Sequence, residues 1–211
     1  LLVAASAFTI GASATLGRPL EPESALDAFE LAPGIAIELV AAEPLVASPV
    51  AMTWDDAGHL FVVENRGYPT GLPDGALGGR VVWLRDNDDD GQMDERQVFA
   101  EGFTFPNGIT PWDGGFFVTC APNIWYLKDQ DGDGRADRRE VVLTGFDTSR
   151  STQLRVAQPT LGSDGWIYLT SGLAAAADIT APMFPQRAPL RISGDLRFHP
   201  KTFRIESVAG R

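Results

Sequence analysis

The sequence predicts an all-β fold, a β-propeller of four-stranded antiparallel blades with about three blades present. Three observations predict it. Short runs rich in Val, Ile, Phe, Trp and Tyr fill the chain, each bounded by Gly, Pro, Asp or Asn. An apolar segment with a basic edge occurs twice, as Val82-Trp83-Leu84-Arg85-Asp86 and Trp125-Tyr126-Leu127-Lys128-Asp129, with Asp129 placed 43 residues after Asp86. That period falls within the roughly 40–45 residues of a four-stranded blade. Finally, a strand–turn–strand pattern recurs at 51–62, 108–118 and 159–169, each copy turning through an Asp- and Gly-bearing corner, the strongest short hairpin signal.

Along the chain, Leu1 to Ala14 is apolar and runs into Ala12-Ser13-Ala14. It reads as the remnant of a signal peptide with its cleavage site. Export to the periplasm, the cell surface or the medium is the expectation. A truncated membrane anchor or an apolar first element of the domain are the alternatives. No other segment approaches the length of a membrane span, so no integral membrane segment is expected in the mature part. Residues 15–29 read as a polar, Pro-bearing linker. Within them 24–29 suits one helical turn, with Ser24 as N-cap and Asp27 three residues on. The propeller domain is expected over 30–211.

Strands are predicted at 35–40, 59–63, 81–84, 115–119, 124–127, 166–170 and 196–198, with a weak helical signal at 173–177. The third copy of the basic-edged strand is Leu196-Arg197-Phe198-His199-Pro200, after an insertion. This gives about three blades plus an N-terminal strand. Propellers close with about 4–8 blades, and an open array leaves a bare sheet edge, so the sequence is expected to be part of a longer protein.

Composition narrows the function. The 211 residues are 44% hydrophobic and 21% charged, with a net charge of −11. That acidity argues against nucleic acid, whose phosphates attract Lys and Arg, and suits cation binding. Cys120 is the only cysteine, so no intrachain disulfide and no paired-cysteine metal or haem site can form. Its strand-like setting favours a small core residue over a reactive thiol.

Two acidic loops carry the clearest chemistry. Asp86, Asp88, Asp90, Gln92 and Asp94 form one series; Asp129, Asp131, Asp133, Arg135 and Asp137 form the other. Both fit D-x-D-x-D-G-x-x-D. Ca²⁺ takes 6–8 oxygens at about 2.3–2.6 Å, and alternate residues of a curled loop supply them. Glycine at the sixth position permits the sharp turn, and a backbone carbonyl of Gln92 or Arg135 serves at the seventh. A bidentate acid is expected at the twelfth. The second loop has Glu140 there and the first has Gln97, so the second is the expected better calcium site. The flanks read as strands, so each loop caps a hairpin and the metal is structural. A solvated acidic turn is the alternative.

Taken together, these segments resemble a family. The series is Pro49 to Asp55, Leu60 to Pro69, Gly79 to Asp94, Val98 to Ile109, Ala121 to Asp137 and Leu161 to Tyr168. It resembles the membrane-bound dehydrogenase propellers of Planctomycetes and related bacteria. Those are similar to the glucose and sorbosone dehydrogenase propellers that use pyrroloquinoline quinone (PQQ). The resemblance spans residues 31–172, about two-thirds of the chain. It implies an exported oxidoreductase acting on a sugar or polyol, with electrons passing to PQQ and on to a c-type cytochrome domain or another acceptor. Such enzymes use a His base; His199 and His59 are the candidates here, and neither sits in a motif that matches it. A quinone or sugar pocket would be built from loops at one end of the propeller. Glu64, Asn65, Arg66, Asn107, Arg155 and Gln158 occupy suitable places there. A non-catalytic propeller that binds glycan or protein is the alternative reading. The third is a lactonase-like hydrolase, prompted by Phe105-Pro106-Asn107-Gly108-Ile109, which needs a central metal held by buried Glu, Asn and Asp.

Overall fold

The computed structural model describes residues 20–172 and 177–208. The expected signal remnant at 1–14, the start of the linker and residues 173–176 of the weak helical signal lie outside the described residues. The chain divides into two compact units, Leu1–Leu39 and Val40–Arg211. In the first, one short helix forms, α1 (Pro22–Leu26), with Glu21 as N-cap. The expected cap, Ser24, lies inside it instead. Proline explains the shift, because its fixed φ suits the first helical turn and its missing N–H is not needed there. The expected strand at 35–40 is not formed. Its alternation is real, but a strand is defined by a hydrogen-bonded ladder, and Ile35 and Val40 are exposed.

The second unit is all-β and antiparallel. Strands β1 (Pro49–Trp54), β2 (Leu60–Asn65), β3 (Gly79–Arg85) and β4 (Glu95–Phe103) form the first four-stranded sheet in chain order. The second sheet repeats this with β5 (Gly108–Trp112), β6 (Gly115–Cys120), β7 (Asn123–Lys128) and β8 (Arg138–Thr144). The third begins with β9 (Ala157–Leu161) and β10 (Ile167–Thr170). A separate hairpin, β11 (Ala177–Ile179) with β12 (Leu190–Ile192), is then inserted. The sheet resumes with β13 (Leu196–Phe198) and β14 (Ile205–Ser207). The basic-edged strands thus hold the third place in each four-stranded sheet, as their sequence repeat implied. Ala177 belongs to a strand, not a helix, because it pairs with Ile192. Among the described residues no helix is long and apolar enough to cross a membrane.

The hairpin corners explain their residues. Trp112 pairs with Gly115, leaving Asp113 (φ 50°) and Gly114 (φ 70°) as a two-residue turn. Two successive positive φ values suit the twist of the flanking strands and favour Asp-Gly. The corners after β1 and β9 are longer, and each is closed by a backbone bond across it, Asp55 N to His59 O and Gly162 N to Trp166 O.

Two cores lie between consecutive sheets. Phe61, Val63 and Phe99 of the first sheet meet Ile109, Phe116 and Val118 of the second. Their rings interlock, with centroids of Phe61 and Phe116 4.3 Å apart and of Phe61 and Phe99 5.1 Å apart. Cys120 is buried in this core, its Sγ 3.3 Å from Thr104 Oγ1. Phe117, Tyr126 and Val142 then meet Ile167, Leu169, Leu196 and Phe198 of the third sheet.

Antiparallel order sends the connections to two rims. One collects the β1–β2, β5–β6 and β9–β10 corners together with both acidic loops, which follow β3 and β7. This is the acidic rim. The opposite rim collects the β2–β3 loop, the β4–β5 and β8–β9 connections and the segment after β10.

Candidate functional site

Each acidic loop is organised around its first carboxylate. Asp86 Oδ1 accepts from the amides of Asp88 (3.2 Å) and Asp89 (2.7 Å), and its Oδ2 accepts from Gly91 (2.8 Å). Asp129 repeats the pattern with Asp131 (3.2 Å), Gly132 (2.7 Å) and Gly134 (2.8 Å). The ninth residues close the curl. Asp94 accepts from Asn87 N at 2.8 Å, and Asp137 from Gln130 N at 2.9 Å. Gly91 (φ 89°) and Gly134 (φ 83°) hold the left-handed conformation at the sixth position, the one L-residues resist.

The curl gathers charge. Carboxylate oxygens of Asp86, Asp88 and Asp94 lie within 4.8 Å of one another, as do those of Asp129, Asp131 and Asp133. Asp90 and Asp133 each cap the amide two residues on, that of Gln92 (2.7 Å) and Arg135 (2.8 Å). All-oxygen donor sets of this kind match a hard divalent cation. The electrostatics agree. Asp90 beside it, then Asp94 and Asp86, raise the Asp88 carboxyl above its ordinary value. Hydrogen bonding, first from Gly91 N, lowers that of Asp86. Burial pushes the Asp129 carboxyl up, but the amides of Gly134, Gly132 and Asp131 outweigh it and leave it lowered. The first loop therefore confines like charges that a cation would neutralise.

Glu140, the expected twelfth-position ligand, stands on β8 with both oxygens on the Arg138 guanidinium, at 2.9 and 2.8 Å. That hydrogen bonding lowers its carboxyl below the ordinary value. It could reach a cation only if this pair opened. Gln97, the twelfth residue of the first series, turns to the other loop and donates from Nε2 to Asp133 O at 2.7 Å. Ala136 N adds a bond to Phe99 O at 2.8 Å. The second loop is thus seated on β4 of the preceding sheet, a contact that the loop's sequence does not signal.

On the opposite rim, Asn107 links two sheets. Its Nδ2 donates to Val156 O (3.0 Å), and its Oδ1 accepts from Thr119 Oγ1 (2.5 Å). Arg155 donates to Thr148 O at 3.2 Å and lies 5.1 Å above the Phe105 ring. Arg66 and Gln158 are exposed, and Gln158 carries a left-handed φ of 58°. Both histidines lie at the acidic rim instead. His59 Nδ1 is 2.9 Å from Asp55 Oδ2, within its own corner, and His199 Nδ1 accepts from Lys201 N at 3.3 Å.

Two further features bear on the site. Glu64 is wholly buried; Oε2 takes Arg96 at 3.1 Å and Arg80 at 3.3 Å, and Oε1 takes Ala47 N at 2.8 Å. An acid in the apolar run of β2, opposite Arg80, was the available signal. The second is a cleft of about 590 Å³ on the acidic rim. Trp83, Trp112, Asp55, His59, Asp113 and Asp129 are among its lining residues.

No curated protein and no solved structure matches the chain. Residues 21–211 match the family model described as "Domain of unknown function (DUF7133)", and the chain belongs to that family.

Proposed function

We propose that the chain forms the calcium-binding β-propeller of an exported, quinone-dependent sugar or polyol dehydrogenase-like oxidoreductase. One observation carries the calcium part: two loops 43 residues apart, at matching places in consecutive sheets, each gather three carboxylates within 4.8 Å. A calcium ion would neutralise them and fix the loop. The repeated four-stranded antiparallel sheets, each in chain order but for one inserted hairpin, support the propeller architecture. Calorimetric titration of the calcium-depleted chain should give binding heat that Asp133→Ala diminishes. No heat, or heat unchanged by the substitution, overturns the calcium reading.

The oxidoreductase part rests on the family resemblance. PQQ, when bound, accepts the two electrons of the substrate. The opposite rim suits it in part: Arg66 and Gln158 are exposed there, whereas Asn107 and Arg155 are engaged in holding the fold. Neither histidine stands on that rim as a base. PQQ-dependent reduction of an artificial acceptor by an aldose is the test, and no quinone binding overturns it.

The cleft favours a second reading, a propeller that binds carbohydrate without turnover. Indole rings beside carboxylates are groups that suit the apolar and hydroxyl parts of a sugar. Retention on a glycan array that Trp112→Ala abolishes, with no turnover, would support it.

A further inference from the structure

The third sheet carries a feature that the other two lack. The connection between β11 and β12 meets the corner between β13 and β14, and the two line a cleft of about 780 Å³. Two turns shape the connection, closed by Phe184 N to Ala181 O and Arg187 N to Phe184 O, each at 2.9 Å. They set Arg187 over the Phe184 ring, 3.8 Å from its centroid, and Arg187 Nη1 donates to Thr202 O at 2.6 Å on the facing corner. The first two sheets have no such inserted hairpin, so the repeat itself does not require the cleft.

The corner is fixed as firmly. His199 N donates to Arg204 O at 2.9 Å, and Phe203 N to His199 O at 2.7 Å. Phe203 holds a left-handed φ of 50°, a conformation that L-residues resist, and its ring stays half-buried in the cleft wall. His199 Nδ1 accepts from Lys201 N at 3.3 Å, so in the neutral ring the proton sits on Nε2, which donates. The same ring meets Trp166 edge-on, with centroids 5.4 Å apart.

The polar groups of this cleft are donors: the guanidinium groups of Arg187 and Arg204, His199 Nε2–H and the Thr202 hydroxyl. No residue lining it is acidic, in a chain where 28 Asp and Glu face 17 Lys and Arg. Nearby cations are already matched. Arg197, 4.5 Å over Trp166, binds Glu206 and Asp164, and Arg204 binds Glu206 through one nitrogen. Arg187 is held by a carbonyl and a ring and, among the described residues, by no carboxylate. A guanidinium fixed in place with its charge unmatched is preorganised for an oxyanion.

We propose that this cleft binds an acidic sugar, a ring carrying a carboxylate or a sulfate ester, with Arg187 and Arg204 on the charged oxygens and Trp166 and Phe203 against the ring. A planar guanidinium fork matches either oxyanion. Aromatic walls suit the apolar faces of a sugar ring, and His199 Nε2–H and Thr202 Oγ1 suit its hydroxyls. The inference stands apart from the calcium and quinone readings and from the cleft at Trp112.

Indole ¹H–¹⁵N signals of the chain test it, because the five tryptophans report separately and Trp166→Phe identifies the signal from this cleft. Titrations at low, constant ionic strength use glucuronate, glucose 6-sulfate, glucose and inorganic sulfate. The Trp166 signal should move saturably with glucuronate or with glucose 6-sulfate, whichever oxyanion fits. Glucose and inorganic sulfate should bind roughly tenfold more weakly or less. Arg187→Met keeps the stem over Phe184 and removes the fork, and should weaken the acidic sugar by roughly tenfold. Arg204→Gln should weaken it likewise and decides the matter where Arg187→Met disturbs the other four indole signals. A still Trp166 signal, glucose binding as well as the acids, inorganic sulfate binding as well as the ester, or affinity unchanged in the variants overturns the proposal. So does a response at Trp112 without one at Trp166, which gives the sugar to the other cleft. Neither the calcium heat nor the effect of Trp112→Ala on glycan retention depends on these results, so the readings fail separately.

Discussion

Gly134 is buried with φ at 83°, and a Cβ there would lie 2.6 Å from Trp83 Cζ3 and 2.7 Å from Gln97 Nε2. Gly132 has nearly the same φ, 81°, but open space around it. Gly132→Ala should therefore cost only the left-handed strain, about 1–2 kcal/mol. Gly134→Ala should cost a further ~1–3 kcal/mol for the clash. Urea unfolding without calcium measures both. Glu64→Gln removes the buried charge that two partly buried guanidinium groups share and should cost about 1.5–3 kcal/mol. At the third sheet, Arg197 donates to Glu206 (2.7 and 3.0 Å) and to Asp164 (3.0 Å). Hydrogen bonding from Arg197 lowers the Glu206 carboxyl below 4.5, and hydrogen bonding led by Tyr168, aided by Arg197, lowers that of Asp164 below 3.8. Lowered values in the folded state mean that it binds fewer protons than the unfolded chain. This stabilisation is complete above about pH 5 and is lost as pH falls through the folded values. Urea midpoints of Arg197→Met and the parent chain should converge on acidification below about pH 4. A constant difference would refute the assignment.

At the scale of elements, Gln97 joins a strand of one sheet to the acidic loop of the next. On the calcium reading proposed above, Gln97→Leu should weaken binding at the second loop by about 1 kcal/mol, roughly fivefold in Kd, and leave the first loop unchanged. Two-site calorimetry with Asp88→Ala as the loop-one control would show which site moves. The hairpin corners were legible in the sequence because Asp-Gly chemistry is local. So were the loop curls, where the spacing of acids and glycine dictates which amides each carboxylate can reach. The seat of the second loop was not legible, since Gln97 and Asp133 meet only through tertiary packing. The stretch at 35–40 misled for a related reason: alternation describes a side-chain pattern and supplies no ladder partner. Glu140 illustrates the limit of a motif, which gives spacing and cannot reveal that Arg138, two residues away, holds the carboxylate.

Across the whole molecule the sheets should contribute unequally at equivalent positions. Ile109→Ala opens a cavity in a seam and should cost about 2–5 kcal/mol, whereas Met52→Ala, at a position 70% exposed, should fall within about 0.5 kcal/mol of the parent. Equal losses would refute this inequality between the two equivalent positions. The count of four-stranded sheets was legible from the repeats of corner and basic-edged strand. The hairpin Ala177–Ile192 was not, because strands of three residues carry too little periodicity to stand out from a loop. The seating of the acidic loop on its neighbour has a mechanical side. The bonds from Ala136 to Phe99 and from Gln97 to Asp133 span two sheets. An ion held in that loop would resist the hinging apart of adjacent repeats as well as the opening of the loop. Occupancy of that loop would then set the stiffness of the joint between these two repeats.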